Sequence, residues 1–540
     1  MANLGYERRY FGTMLDCSRN AVMTVDSVKQ WIDITADLGY NMLMLYTEDT
    51  YEIKEQPYFG YLRGRYSQEE IKQINDYCTQ KSMELIPNIQ TLAHLNAITR
   101  WPAFKPMIDQ KDFLLVGDEK VYQFIEQMIA TVSKTHTSEY VLVGMDEAYG
   151  LGRGKYMDLH GICNIAEMFV YHIKRVAEIA KKYGKTILVW GDMFHTLMGP
   201  GKHLDLPEDF DRTICEQIPE NVEIVCWEYD KPYVEFYDGR IKSHNRIREN
   251  SWFVGAFRSW HGLTPHNAYS LKHIKSVTTA CAMNNVRDLF YGTWGDNGAE
   301  CSKYALLPSL FYAAQLYHGV TDETQIHKAF EEKFGVSWEQ YMLLDLPDSP
   351  NGLDEGLYNP DKYLLYNDPF MGMMDSTLDG TEGAGFAEAA RKLGEVPTNH
   401  PFAYLFATQK ALAEVLAIKA NLGTRTRDAY YAKDKAALAA VIAEYGAVEE
   451  KLTVFYEAYK TQWYKENKGV GFEVQDARIG GLIQRIRHCK EMLMDYERGI
   501  IDRIDELEEQ LLDFEGNGEC FGKKHLVFRQ WDQNITANIV

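Results

Sequence analysis

Between about residues 8 and 320 the chain alternates short β-branched or apolar runs with amphipathic helical stretches, and this alternation limits the available folds. The apolar runs fall at 10–15, 41–46, 84–89, 140–143, 186–190, 222–227, 253–257 and 288–291. Between them lie helix patterns. Val121, Ile125, Met128, Ile129 and Val132 share one helical face, as do Ile165, Phe169, Ile173, Val176 and Ile179. Ser67 followed by Glu70 forms a capping box before Ile71, and Gly39 and Gly184 stand where helices should stop. Eight such units fit a (β/α)8 TIM barrel better than an open sheet. A doubly wound dinucleotide fold would need G-x-G-x-x-G after the first strand, and Gly152-Arg-Gly154 comes too late and lacks the third glycine.

After residue 320 the strand signals fade. The reading is therefore α/β: a catalytic barrel over 1–320, followed by an α-helical C-terminal domain over 321–540. Residues 345–380, with Pro347, Pro350, Pro360 and Pro369, read as an irregular connector. Two long helical stretches follow, about 402–466 (interrupted near Gly423) and 474–512. Along the second, Ile479, Ile486, Leu493, Ile500, Leu507 and Leu511 recur at near-heptad spacing, as in the seam of a hairpin or bundle. Homodimerisation through this domain is one expectation.

A formal charge of −21 argues against nucleic acid, and no polybasic run suits a membrane surface. No stretch reaches the about 18 apolar residues of a membrane span. The nine cysteines are scattered, without metal-ligand or disulfide spacing, and no H-E-x-x-H is present, so neither metal nor cofactor is expected. The N-terminus lacks a signal-peptide pattern. A reduced, cytoplasmic protein is the expectation, or a secreted one if a leader has been removed.

In a barrel the site lies at the C-terminal strand ends. The fourth run ends Val141-Leu-Val-Gly-Met-Asp-Glu147, and at a strand terminus both Asp146 and Glu147 can face one pocket. Two carboxylates in a pocket are the usual equipment for breaking a glycosidic bond, although acids also serve simply to start a helix. The other ends carry Asp16-Cys-Ser-Arg19, Glu48-Asp49, Asn88 and Gln90 leading to His94, Trp190-Gly-Asp192, Trp227-Glu-Tyr-Asp230, Arg258-Ser-Trp260-His261 and Trp294-Gly-Asp296. A tryptophan there can be core filling, yet Trp190, Trp227, Trp260 and Trp294 at successive ends, each beside a polar residue, describe walls for a sugar ring. His94 reads either as a structural histidine or as a partner of Glu48 or Asp49. Arg19 reads either as a bridge to a neighbouring acid or as a fork for vicinal hydroxyls.

Together these motifs resemble glycoside hydrolase family 20, the β-N-acetylhexosaminidases, over about residues 8–320. The resemblance rests on Leu15-Asp-Cys-Ser-Arg19, Thr47-Glu-Asp49, Ile86-Pro-Asn with His94, Gly144-Met-Asp-Glu147, Val189-Trp190 and Trp294-Gly-Asp296, in order. It implies exo-hydrolysis of terminal GlcNAc or GalNAc from an oligosaccharide or glycoconjugate. It implies that Glu147 is the general acid/base, supported by His94 and by Glu48 or Asp49, and that Asp146 holds the 2-acetamido nitrogen. Arg19 would bind O3 and O4, Trp190 and Trp294 would wall the pocket with Trp227 or Trp260 as third aromatic, and Asp296 would bind O4 or O6. The family's acetamide-binding tyrosine follows strand 7, where this chain has Trp260-His261. Tyr229 is the substitute candidate, with Tyr233 and Tyr237 behind it. The chain also starts almost at strand 1, without the α/β domain that precedes many such barrels, and Met145 stands where a small residue is usual. Another retaining glycosidase with a carboxylate nucleophile, a disaccharide-releasing relative and a silent sugar-binding barrel are the alternatives.

Overall fold

The computed structural model describes residues 8–199, 206–260, 262–349 and 359–512. Eight strands close into a parallel barrel: β1 (Tyr10–Asp16), β2 (Met42–Tyr46), β3 (Glu84–Asn88), β4 (Tyr140–Leu142), β5 (Thr186–Trp190), β6 (Val222–Trp227), β7 (Trp252–Ala256) and β8 (Asp288–Thr293). Each strand pairs with its sequence neighbours. Closure comes from β1 against β8, with Leu15 opposite Thr293, while Asp16 stands opposite Tyr46 of β2. The runs read as strands because their apolar side chains are buried, as along β2 and β8, where every residue is inaccessible.

Helices follow the expected faces. Glu119–Thr135 buries Val121, Ile125, Met128, Ile129 and Val132, and Ile165–Lys182 buries Phe169, Ile173, Val176 and Ile179. Ser67 accepts from the Glu70 N–H at 3.1 Å while Glu70 accepts from the Ser67 N–H at 2.8 Å, so the capping box is complete. The β3 loop also carries a short antiparallel pair, Ile108–Gln110 with Phe113–Leu114, which the sequence reading missed because each strand is only a few residues long.

The described residues cluster into two compact units. The first contains those up to Phe257, Ser270–Trp294 and Phe311–Thr321; the second contains Arg258–Tyr269, Gly295–Leu310 and those from Asp322 on. In the second unit, helix Ala403–Lys419 packs on Glu382–Gly394 and on Lys435–Glu466, and the latter packs on Phe472–Glu497.

Two expectations for this region need correction. Part of the 345–380 connector is helix Pro360–Tyr366, fully buried. Pro360 occupies its first turn, where the missing N–H costs nothing, so a residue read as a breaker is a starter. (Residues 350–358 lie outside the described residues.) The interruption expected near Gly423 is found just before Leu422–Ala432, and a second break follows at Lys433, after which Asp434 caps the next helix. The last long helix ends at Glu497 rather than 512. Ile479, Ile486 and Leu493 form its buried seam, whereas Ile500 is 66% exposed beyond it and Leu507 sits buried in a separate short turn. Among the described residues no helix is long and apolar enough to cross a membrane.

Candidate active site

The end of β4 turns sharply. Gly144, Met145 and Glu147 take φ of +73°, +74° and +50°. A β-carbon on Gly144 would lie 1.9 Å from Gln90 Oε1, so this position demands glycine both for conformation and for space. Met145 points its side chain into the apolar core, which explains a large residue there. The turn swings Asp146 inward and leaves Glu147 outward. The Asp146 side chain keeps 13% of its surface and the Glu147 side chain 43%. Glu48 and His94, at the ends of β2 and β3, also hold positive φ, +36° and +56°. Non-glycine residues adopt this region at a cost, and Glu48, His94, Met145 and Glu147 all do so close to these strand ends.

Two neighbours fix Asp146. Gln90 donates from Nε2 to Oδ1 at 2.8 Å, and His94 Nε2 stands 3.1 Å from Oδ2. Burial opposes a charge on Asp146, but His94 and then Gln90 outweigh it and hold the carboxyl below the usual aspartate range. Burial likewise opposes a charge on His94, yet Asp146, with help from Glu48, lifts it to about 10. Asp146 and His94 thus form a charged pair at neutral pH. His94 Nε2 is 3.6 Å from Glu147, so its closer partner is Asp146 rather than the acid it was expected to support.

Arg19 reaches Asp16 at 3.0 Å and Glu48 at 3.4 Å and lies 5.1 Å from the Tyr46 ring centroid. Arg19 therefore bridges acids, and they fix its fork at the barrel mouth. Tyr46 donates to Glu48 at 3.0 Å and accepts from Gln90 at 3.0 Å, which links the arginine corner to Asp146. Burial raises Glu48, an effect that Arg19 and His94 partly offset. Asp49 pairs instead with Arg63 at 3.4 Å. Of the two acids considered for His94, Glu48 is the one that interacts with it electrostatically.

Trp190 and Trp294 stand 6.1 Å apart, and Tyr46 meets Trp294 edge-on at 5.1 Å. Trp227 stacks on Tyr229 at 5.5 Å. Buried Glu228 clamps that loop by accepting the N–H groups of Tyr229 and Asp230. The first unit thus carries Arg19, Glu48, Asp49, His94, Asp146, Glu147, Trp190, Trp227, Tyr229 and Trp294, whereas Trp260 and Asp296 belong to the second. There Trp260 is buried beneath the Arg258 guanidinium, at 5.0 Å, and Asp296 opens the turn Asp296–Gly298. His261 lies outside the described residues.

Sequence reasoning did not select Tyr46, Gln90 or Asp192. The first two are neutral and act by holding others. Asp192 was visible at a strand end, but its contact with β4 depends on strand adjacency. Among the described residues no group of three or more His, Cys, Asp or Glu side chains is arranged to hold a metal.

Comparison with known proteins gives concordant matches. The model of the glycosyl hydrolase family 20 catalytic domain matches residues 8–285, and that of the Glycoside Hydrolase 20C C-terminal domain matches 339–526. A Beta-hexosaminidase of Porphyromonas gingivalis is 28% identical over 225 residues, 35% of this chain and 29% of that protein. Hexosaminidase D of Bos taurus is 30% identical over 265 residues, covering 45% of this chain and 71% of that one. The chain thus spans under a third of the first relative and most of the second. Among solved structures, a family 20 exo-β-N-acetylglucosaminidase from Vibrio harveyi superposes with a TM-score of 0.45 at 16% identity, over 60% of this chain and 58% of that one.

Proposed function

The chain belongs to glycosyl hydrolase family 20, and from that premise we propose that it is an exo-acting β-N-acetylhexosaminidase using a retaining, substrate-assisted route. The observation that carries this reading is the division of labour between adjacent acids. Asp146 is recessed and held ionised by His94 and Gln90, while Glu147 faces the mouth. Separate environments are what let neighbouring carboxyls serve different roles.

The chemistry follows. The substrate's acetamide oxygen attacks the anomeric carbon. Glu147 gives its proton to the glycosidic oxygen, which leaves with the bonding electron pair. The oxazolinium ion that forms carries positive charge across the acetamide, and Asp146 accepts its N–H and balances that charge. Each carboxylate oxygen can accept two hydrogen bonds, so Gln90 and His94 leave capacity for the substrate. Water then attacks the anomeric carbon and yields its proton to Glu147, opening the ring with net retention. Arg19, fixed by Asp16 and Glu48, suits the O3 and O4 hydroxyls, with Trp190, Trp227 and Trp294 as aromatic walls. Roles for Tyr229 at the acetamide oxygen, Trp260 as a further wall and Asp296 at O4 or O6 are part of the same proposal.

Aryl β-glycosides of GlcNAc, GalNAc and glucose test it directly. The first two should be cleaved and the glucoside should be inert, and a thiazoline mimic of the bicyclic ion should inhibit. Comparable cleavage of the glucoside would overturn the reading.

A further inference from the structure

Asp192 is the second residue past β5 and only 1% exposed. Gly191 makes the turn possible, since a β-carbon there would lie 2.5 Å from the His244 ring. The turn delivers the Asp192 carboxylate to the backbone of the neighbouring strand end. Its Oδ2 accepts the N–H of Glu147 at 2.9 Å, at the residue whose φ of +50° is unfavourable for a side chain of this kind. The Trp227 side chain also favours a charge on this carboxyl. One buried group therefore holds the Glu147 peptide and interacts with Trp227 of the aromatic pair Trp227–Tyr229.

We propose that Asp192 is a positioning residue, fixing the Glu147 peptide in its left-handed turn and placing a negative charge beside the Glu147 carboxyl. This rests on the reading of Glu147 as general acid/base. The groups that face Asp192 are Asp146, Glu147 and the Trp227 side chain, with His94 beyond Asp146. Burial, then the charge on Asp146, push Asp192 up to about 7, against the hydrogen bond from Glu147 N–H and the influence of Trp227. As pH rises through that value, Asp192 gains its charge and disfavours a second one on Glu147. The charges on Asp192 and Glu147 oppose one another, so the two carboxyls titrate as a linked system in which the second to ionise does so at higher pH than it would alone. Among the described residues no cation is paired with Asp192, which suits a group that opposes a neighbouring negative charge better than one that only holds a loop.

Two substitutions separate the effects. Asp192→Asn keeps an oxygen for the Glu147 N–H but removes the charge, so kcat at pH 5 should fall less than tenfold, in line with a geometry that survives. Its alkaline limb of kcat/KM should move to lower pH by about half a unit or more. Asp192→Leu removes the acceptor as well, and kcat should fall about 100-fold with KM changed less than threefold, the penalty of a small misplacement. Thermal unfolding of both variants, matched to wild type, would show that the loss is not one of folding. If D192L retains wild-type kcat, or if D192N keeps the wild-type alkaline limb, the proposal is overturned. Glu147→Gln run alongside tells the two readings apart. Wild-type turnover in that variant would remove the premise itself, whereas its inactivation together with an indifferent Asp192 would sink only this inference.

Discussion

One buried acid in the second unit and two at the barrel mouth hold charge in contrasting ways. In the second unit Glu300 is buried against Lys362 at 2.5 Å, Arg478 at 2.8 Å and Gln475 at 2.9 Å. Burial opposes its charge, but the Lys362 ammonium and Arg478 guanidinium outweigh it and hold the carboxyl low. That is charge fully met by partners. At the barrel mouth Asp146 has His94 as a cationic neighbour, whereas among the described residues no cation is paired with Asp192, so one carboxyl is held ionised and the other is raised to about 7. The contrast separates charge that fixes a structure from charge that is available for chemistry.

The comparison can be broken by substitution. Asp146→Asn should lower kcat by about 10²–10³, some 3–4 kcal/mol at the barrier, because a preorganised counter-charge is lost. Its thermal midpoint should stay near wild type; a variant that instead melts early would place Asp146 with Glu300 among the structural charges. Lys362→Met reverses the pattern. Removing one partner of a buried pair costs about 3 kcal/mol, read as a fall in the denaturant midpoint. A neutral result would show that Arg478 and Gln475 suffice.

A smaller effect concerns pH. Folded His94 titrates near 10 against an ordinary 6.5, so its stabilisation is complete below about 6.5 and is lost as pH rises through 10. Asp146, held below its ordinary 3.8, contributes above that value and loses its contribution as pH falls through its folded value. Wild type should therefore exceed His94→Gln in thermal midpoint across neutral pH and converge with it above pH 10. Parallel curves to the alkaline end would contradict the pairing.

Much of this was legible in the sequence, for identifiable reasons. Parallel strands buried on both faces leave continuous apolar runs, and all eight were found to within a residue or two. Polar residues at the ends of those runs then marked the mouth, so Arg19, His94, Asp146, Glu147 and Trp190 could be named from position. Relations between strands were hidden. That Glu48 rather than Asp49 faces His94 depends on how the β2 turn rotates at φ +36°. Gln90 and Asp192 act through β4, and only barrel closure order brings them there. In the helical unit, periodicity located helices but not their ends, since Pro360 starts one and Arg498 caps another.

The central claim is that ionised Asp146 assists an attack by the substrate's own amide. Aryl β-N-acetylglucosaminides bearing zero, one, two or three fluorines on the acetyl group test it most directly. Each fluorine weakens the amide oxygen as a nucleophile while leaving the sugar ring unchanged. The account predicts a stepwise fall in kcat/KM across the series, whereas a flat series would assign the attack to an enzyme carboxylate and contradict it.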